Sequence, residues 1–241
     1  MNEPKKLPNP TNNKMGTKSV GKLLFTMALP MIISMLVQAL YNVVDSIFVA
    51  QISENAVTAL GLAFPIQNLI IGFSTGIGVG MNALLSKSLG EGRQDRANLA
   101  AGNGAVLTGI AVVLFMLFGF FGARPYFALQ STNEEIVGFG TDYIAICCIF
   151  SLGVFVEILG EKLLQATGRT LYTLFIQGTG AIINIILDPI LIFGWFGLPK
   201  MGIAGAAVAT VIGQWVAAIL AVIFNFKCNP DVQFALKYLK L

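Results

Sequence analysis

Residues 23–50 read LLFTMALPMIISMLVQALYNVVDSIFVA, and this stretch decides the class of fold. It is apolar over 28 residues, with Gln38 and Asp45 among its few polar side chains. At 1.5 Å per residue, a helix of that length exceeds the ~30 Å of bilayer hydrocarbon. A single segment crossing lipid must satisfy its own backbone hydrogen bonds, so the stretch is predicted to be a membrane-spanning α-helix.

Five more apolar segments follow, and each is long enough to span a bilayer. They cover residues 57–85, 99–122, 135–160, 171–196 and 202–226. The composition agrees, because hydrophobic residues make up 56% of the chain and charged residues only 11%, against about 25% charged in soluble domains. The sequence therefore predicts an all-α, polytopic membrane protein with a six-helix transmembrane lobe over residues 23–226.

The positive charges predict how the segments are oriented. Of the 15 Lys and Arg residues, 13 fall on the side of the amino-terminal tail, and only Arg124 and Lys200 lie opposite. The positive-inside rule places both termini in the cytoplasm. Residues 1–22 are then a cytoplasmic tail, and residues 227–241 start a cytoplasmic linker. The net charge of +3 thus reflects topology, and no nucleic-acid partner is expected.

The residue counts exclude most enzyme chemistry. Histidine is absent, which rules out histidine-based nucleophilic catalysis and histidine-ligated metals. Cys147, Cys148 and Cys228 have neither zinc-site nor disulfide spacing. We expect no enzymatic activity and no cofactor.

Acidic side chains inside the apolar segments are costly and need a reason. At 1.5 Å per residue, Asp45, Asp188 and Thr210 lie about 8, 10 and 12 Å below the outer ends of their helices. Three oxygen-bearing groups on three helices are therefore expected at one level. If the two carboxylates are close, both cannot stay ionised cheaply, and a proton or a cation should neutralise the pair.

Polar neighbours follow helical spacing on the same three segments. Such stripes must face a cavity or protein, not lipid. Members of these stripes are Ser34, Gln38, Tyr41 and Asp45 on the first segment, Asn184 and Asp188 on the fifth, and Thr210 and Gln214 on the sixth. Their oxygens suit a proton or a small hard cation such as Na⁺, with Asp45, Asn184, Asp188 and Thr210 as its candidate ligands.

Other polar residues within the segments receive more ordinary interpretations. Two interpretations of Asp142 stay open: it lines the cavity, or it is solvated at the mouth of its helix. Glu157 and Glu161 are expected to reach the cytoplasmic interface and pair with nearby basic residues. Pro30 is predicted to bend the first helix.

Glycines repeat every four residues in the second segment, at Gly72, Gly76 and Gly80. Such a series gives a smooth helix face, and its expected role is close packing against another helix.

Several strings resemble the multidrug and toxic compound extrusion (MATE) transporters. These strings are LPMIIS (29–34), QALYNVVD (38–45), QATGRT (165–170), NIILDP (184–189) and GIAGAAVAT (202–210). The resemblance implies one lobe of a twelve-helix transporter of the bacterial inner membrane. It also implies export of amphipathic or cationic drugs by antiport with H⁺ or Na⁺. Asp45, Tyr41, Asn184, Asp188 and Thr210 match the family's ion-site positions, and Pro30 matches its bending proline.

The chain departs from this family in having six segments where the family has twelve. Truncation of a longer product is the favoured explanation, and two parallel copies pairing in the membrane is the other. The alternatives to drug export are a flippase for lipid-linked precursors and a half-length membrane partner without transport of its own. The flippase is disfavoured because no Lys or Arg lies mid-span.

Overall fold

The computed structural model describes residues 19–232 and 238–239, and within them the chain is helical, with no β-strand. The α-helices are α1 (Val20–Ala50), α2 (Glu54–Gly90), α3 (Gln94–Leu117), α4 (Ala123–Gln130), α5 (Glu134–Ile149), α6 (Leu152–Ala166), α7 (Thr170–Phe193) and α8 (Ile203–Cys228). A π-helical turn, Phe118–Gly122, joins α3 to α4, and a 3₁₀ turn, Trp195–Gly197, follows α7.

In the described part of the chain, five helices are long and apolar enough to cross a membrane, and the bent pair α5–α6 makes a sixth span. This confirms the all-α polytopic fold. The predicted ends were too short in places: α2 runs to Gly90, and the third span continues through α4 to Gln130. Hydropathy marks where a helix leaves the apolar layer, whereas turn residues mark where the helix ends.

The predicted terminal regions are only partly described. The first helix begins at Val20, inside the expected tail of residues 1–22, and α8 continues to Cys228. The rest of the tail, residues 1–18, lies outside the described residues, as do residues 233–237, 240 and 241 of the expected linker.

The fourth span bends by 49° between α5 and α6, where the sequence predicted one continuous segment. At the break, Ser151 N–H donates to the Cys148 carbonyl, three residues back, instead of continuing the four-residue helical pattern. Ser151 and Gly153 flank the start of α6, and Ser/Gly pairs are a known cause of sharp kinks. The open side of Gly153 also lets the Trp215 ring of α8 approach the backbone.

Two turns at the predicted cytoplasmic end share one design. After α2, Gly92 has φ +71°, and Arg93 N–H donates to the Ser88 carbonyl at 2.8 Å. After α6, Gly168 has φ +79°, and Arg169 N–H donates to the Leu164 carbonyl at 2.8 Å. These are Schellman motifs, and the left-handed residue is glycine because it has no Cβ to clash.

The second turn is tied to the end of α8. Arg169 Nη1 lies 2.5 Å from Asp231 Oδ2 and 3.1 Å from Asn229 Oδ1. Gln94, at the start of α3, donates to the Asp231 backbone carbonyl at 2.6 Å. Three connections that the charge pattern placed on one side of the membrane thus meet at one end of the bundle.

The glycine series of α2 does not pack as expected. A methyl group built at Gly72, Gly76 or Gly80 meets nothing within 4 Å among the described residues. The close approach is instead at Gly78, where such a group would lie 2.7 Å from Lys162 Cγ of α6. The spacing identified a small-residue face correctly but not the face that the neighbouring helix covers.

The first helix continues through Pro30 to Ala50 and packs chiefly along α7. Pro30 is buried, and the Ser34 hydroxyl donates to its carbonyl at 2.9 Å. A bond of this kind, four residues back, often accompanies helix bending. A bend at Pro30 stays a prediction.

Candidate functional site

Asn184 links the two helices that carry most of the site. It lies one turn before Asp188 on α7 and is 2% exposed. Its Nδ2 donates to Thr210 Oγ1 on α8 at 3.2 Å and to Asp188 Oδ1 at 3.4 Å. Asp188 is fully buried. The fifth and sixth spans therefore bring together an amide, a hydroxyl and a carboxyl group inside the bundle.

Glycines on both helices make this contact possible. A methyl group at Gly213 of α8 would lie 2.8 Å from the Gly180 carbonyl oxygen of α7. A methyl group at Gly205, near the start of α8, would lie 2.6 Å from the Leu191 carbonyl oxygen. With no side chain between them, the two backbones approach closely enough for Asn184 to reach Thr210.

Asp45 completes the site from α1. Its side chain is buried, at 6% exposure. It lies near enough to Asp188 for the two carboxyl groups to interact electrostatically. Asp45 shares the lining of one cavity with Thr210, and Asn184 bridges Thr210 to Asp188, so the acids of the first and fifth spans lie around the same polar cluster.

Several acceptor oxygens of this site have no hydrogen-bond donor among the described residues. They are Asp45 Oδ1, Asp188 Oδ2 and Asn184 Oδ1. Buried polar atoms are nearly always partnered, because leaving one bare costs about 1–3 kcal/mol. Three bare acceptors and two neighbouring acids fit a group that takes up a proton or a small cation. The described residues contain no cluster of three or more His, Cys, Asp or Glu, which a transition-metal site would need.

A cavity of about 60 Å³ opens beside Asp45, and we call it the outer cavity. One water needs about 10–15 Å³ on this measure, so the outer cavity has room for several. Its polar lining comprises Tyr41, Asn42, Asp45, Ser46, Gln67, Asn68, Tyr143, Thr210 and Gln214. No Lys or Arg contributes to the described lining.

Sequence reasoning missed five polar residues of this lining, namely Asn42, Ser46, Gln67, Asn68 and Tyr143. Gln67 Nε2 of α2 donates to the Tyr143 hydroxyl of α5 at 2.8 Å, and Tyr143 is 1% exposed. The signal was available, because Gln67 interrupts an apolar segment just as Gln38 does. The neighbour of Tyr143, Asp142, was considered instead, and it is exposed and lies outside both described cavities. Its placement corrects the cavity-lining interpretation.

A second cavity of about 40 Å³ adjoins the first, and we call it the inner cavity. The two share Tyr41, Thr210 and Gln214 in their lining. Gln38 and Gln214 line the inner cavity as expected of stripe residues, whereas Ser34 lines neither and bonds to its own helix.

The interpretation of Glu157 and Glu161 as interfacial groups was wrong. Glu157 lines the inner cavity at 9% exposure, and Glu161 is 4% exposed. Glu161 Oε2 accepts a bond from Gln177 Nε2 at 3.2 Å. Of the two nearby basic residues, Lys162 and Arg169, neither forms an ion pair with these acids in the described chain, and Arg169 pairs with Asp231. The fourth span bends before this point, and α6 turns these side chains into the bundle.

These features define a polytopic, helical membrane protein with a buried acidic site beside internal cavities. A family model described as MatE matches residues 30–190, more than half of the chain, and the chain belongs to this family. Members of the family are transporters and not enzymes. With its apolar spans and bacterial relatives, the chain is a multi-pass inner-membrane protein.

Individual relatives agree with the family. The chain is 30% identical over 200 residues to an "FAD transporter" of Shewanella oneidensis, covering 83% of this chain and 44% of that protein. It is 28% identical over 235 residues to "Probable multidrug resistance protein YoeA" of Bacillus subtilis, covering 95% of this chain and 50% of that protein. The chain spans about half the length of the curated relatives it matches.

Solved structures agree as well. A MOP superfamily transporter from Pyrococcus furiosus superposes with a TM-score of 0.84 at 25% identity, covering 91% of this chain and 48% of that one. A MATE transporter in its straight conformation superposes with a TM-score of 0.83 at 26% identity, covering 90% and 48%. The described fold is therefore that of one lobe of a twelve-helix transporter.

Proposed function

We propose that the chain acts in the export of amphipathic or cationic drug-like compounds, driven by inward movement of H⁺ or Na⁺. The observation that carries the proposal is the buried Asp45–Asp188 pair with its unpartnered oxygens beside the outer cavity. Relatives named as multidrug export or resistance proteins support the cargo class.

The proposed ion site consists of Asp45, Asp188, Asn184 and Thr210, with Tyr41 at its edge. Binding a proton or cation removes the repulsion between the acids, and release restores it. Moving one unit charge across the whole membrane potential changes the free energy by about 2.3 kcal/mol per 100 mV. The site is shared by α1, α7 and α8. This energy would therefore favour one arrangement of the three helices when the ion is bound and another when it is released.

Transport also requires a second wall facing this lobe. The relatives are about twice as long as the matched region, so we propose that a second six-helix lobe, or a second copy, lies opposite.

A flavin nucleotide is the competing cargo, because one relative is named an "FAD transporter". The lining favours a cation instead: Asp45 and Glu157 face the two cavities, and no Lys or Arg of the described lining is present to meet a phosphate. Uptake assays with FAD and with a cationic dye separate the two.

The test uses D45N and D188N in cells lacking their own drug exporters. Both variants keep a side chain of similar shape and lose the ionisable group, so dye efflux and drug resistance should fall to the level of cells without the protein. D142N is the matched control, since Asp142 is exposed, and it should keep wild-type efflux. Full resistance in both D45N and D188N overturns the assignment.

The coupling ion is found in vesicles by imposing one gradient at a time. Proton coupling predicts dye movement with a pH gradient in sodium-free buffer, and sodium coupling predicts movement with a sodium gradient at equal pH. No movement with either gradient contradicts antiport.

A further inference from the structure

A second pair of buried acids lies on the cytoplasmic side of the proposed ion site. Glu157 and Glu161 are one turn apart on α6 and therefore share a helix face. They are 9% and 4% exposed, and each lies within electrostatic reach of the other. Burying two acids together is costly unless a proton or a counter-charge neutralises them.

The neighbours of the pair do not supply a full counter-charge. Glu161 Oε1 is buried and has no hydrogen-bond partner among the described residues. Lys162, on the same helix, acts electrostatically on Glu161. However, its Nζ donates to Gln165 at 3.1 Å, and it makes no ion pair within the described chain.

The other helices around the pair present mostly neutral groups. From α7, the Gln177 amide donates to Glu161. From α8, the Asn225 amide donates to the Gly160 carbonyl at 2.9 Å. From α1, the Tyr41 side chain lies within electrostatic reach of Glu157.

The inner cavity connects this pair to the first site. Glu157 and Gln177 line one part of the cavity, and Asn184 and Thr210 line another. Gln177 and Asn184 are seven residues apart on α7, or about 10 Å along the helix axis. At about 40 Å³, the cavity exceeds the roughly 10–15 Å³ that it needs to admit water. Tyr41 lines both the inner cavity, with Glu157, and the outer cavity, with Asp45.

We propose that Glu157 and Glu161 form a second proton-binding pair, joined by the inner cavity to the Asp45–Asp188 site. One proton bound between the two carboxyl groups neutralises half of their charge. Its release to cavity water breaks one O–H bond and forms another, with no other covalent change. The pair would pass protons between the ion site and the cytoplasm. This role rests on the proposed function, in which the Asp45–Asp188 site binds the coupling ion.

The test measures protonated carboxyl groups by infrared difference spectroscopy on the purified chain during a pH titration. Labelling all glutamate carboxyls with ¹³C shifts glutamate bands and leaves aspartate bands in place, without any mutation. We expect a ¹³C-shifted band from a protonated glutamate, equal to roughly one carboxyl per chain because the pair shares one proton. This band should be lost in E157Q/E161Q.

Two matched variants complete the experiment. E54Q/E91Q makes the same chemical change at two exposed glutamates and should keep the ¹³C-shifted band, as should D45N/D188N. If E157Q/E161Q fails to fold, the isotope label on the unmodified chain alone decides the outcome.

The outcomes separate the two proposals. A titrating aspartate band without a glutamate band overturns the second pair and leaves the Asp45–Asp188 site standing. A glutamate band that survives in E157Q/E161Q also overturns the second pair. A glutamate band without an aspartate band supports the second pair and weakens the proton-coupled form of the proposed function.

Discussion

At residue scale, the site depends on one amide that serves two partners. Asn184 donates to both Thr210 and Asp188, so it fixes the distance between α7 and α8 and orients the acid. Its own Oδ1 is left without a donor in the described chain, which gives the site an acceptor that a bound cation can use. Another buried asparagine, Asn225 near the end of α8, has both ends engaged: its Nδ2 donates to two backbone carbonyls, and its Oδ1 accepts a bond from Asn229.

Replacing Asn184 with alanine should therefore weaken both folding and ion binding. We expect N184A to lose about 1–3 kcal/mol of stability, because two buried hydrogen bonds disappear. In N184A, added ion should no longer raise the thermal unfolding temperature measured in detergent.

N225A is the matched control for this change. It should cost similar stability and keep ion-dependent protection, because Asn225 bonds to the Gly160 and Ala221 carbonyls and to Asn229, and not to the Asp45–Asp188 site. Equal ion protection in N184A and wild type contradicts a role for Asn184 in binding.

At the scale of secondary-structure elements, two features position the site. One is the close approach of α7 and α8, and the other is the set of contacts that connect the ends of the helices. The contact of Gly180 with Gly213 lets α7 and α8 meet backbone to backbone. At the predicted cytoplasmic end, Arg169 links the turn after α6 to the residues that follow α8. The first feature places Asn184 against Thr210, and the second holds the same helix pair at its far end.

A single methyl group should disturb the α7–α8 contact. In G213A the new methyl would lie 2.8 Å from the Gly180 carbonyl oxygen, so a backbone must move, at a cost of about 1–3 kcal/mol. Thermal unfolding in detergent measures the loss.

G178A makes the same change on α7 where nothing lies within 4 Å. It should be neutral or stabilising by about 0.4–1 kcal/mol, since alanine reduces the freedom of the unfolded chain. Equal melting temperatures for G213A and G178A would show that the close contact is unimportant.

The two Schellman turns allow a paired test of Arg169. Its ion pair with Asp231 is partly buried, at 25% and 15% side-chain exposure, whereas Arg93 and Glu91 are 55% and 38% exposed. We expect R169A to lose about 1.5–3 kcal/mol, the range for charged hydrogen bonds. R93A should lose about 0.2–1 kcal/mol, as exposed pairs do. A larger loss in R93A, measured by thermal unfolding, contradicts the fastening role.

At the scale of the whole molecule, charge decides which face is cytoplasmic, and burial decides which face lies toward the cavities. Six spans bring the basic turns at Arg93 and Arg169 to one end and leave Lys200 at the other. The match covers about half of each relative's length, so the bundle corresponds to one lobe of their fold.

Orientation is tested by cysteine labelling in a C228S background. K200C should react with a membrane-impermeant thiol reagent on intact cells, because its loop lies on the side with few positive charges. E91C should react only after the cells are permeabilised. The reverse pattern contradicts the predicted topology.

The sequence by itself determined the class of fold, the number of spans and the acids worth examining. Long apolar stretches leave a bilayer-crossing helix as the only way to satisfy the backbone, and Asp45 and Asp188 stand out because an ionisable group in such a stretch is expensive. The polar stripe of α1 predicted Gln38 and Tyr41 as lining residues for the same reason.

Only the tertiary structure decided which faces meet. Spacing favoured the Gly72–Gly76–Gly80 series, which recurs at helical intervals, over Gly78, which does not, yet the packed contact is at Gly78. Spacing also could not show that the bend at Ser151 turns Glu157 inward, since neighbouring basic residues made the interface look equally favourable. Local sequence sets the cost of burying a group, whereas the positions of helices distant in the chain decide whether that group is buried and what it contacts.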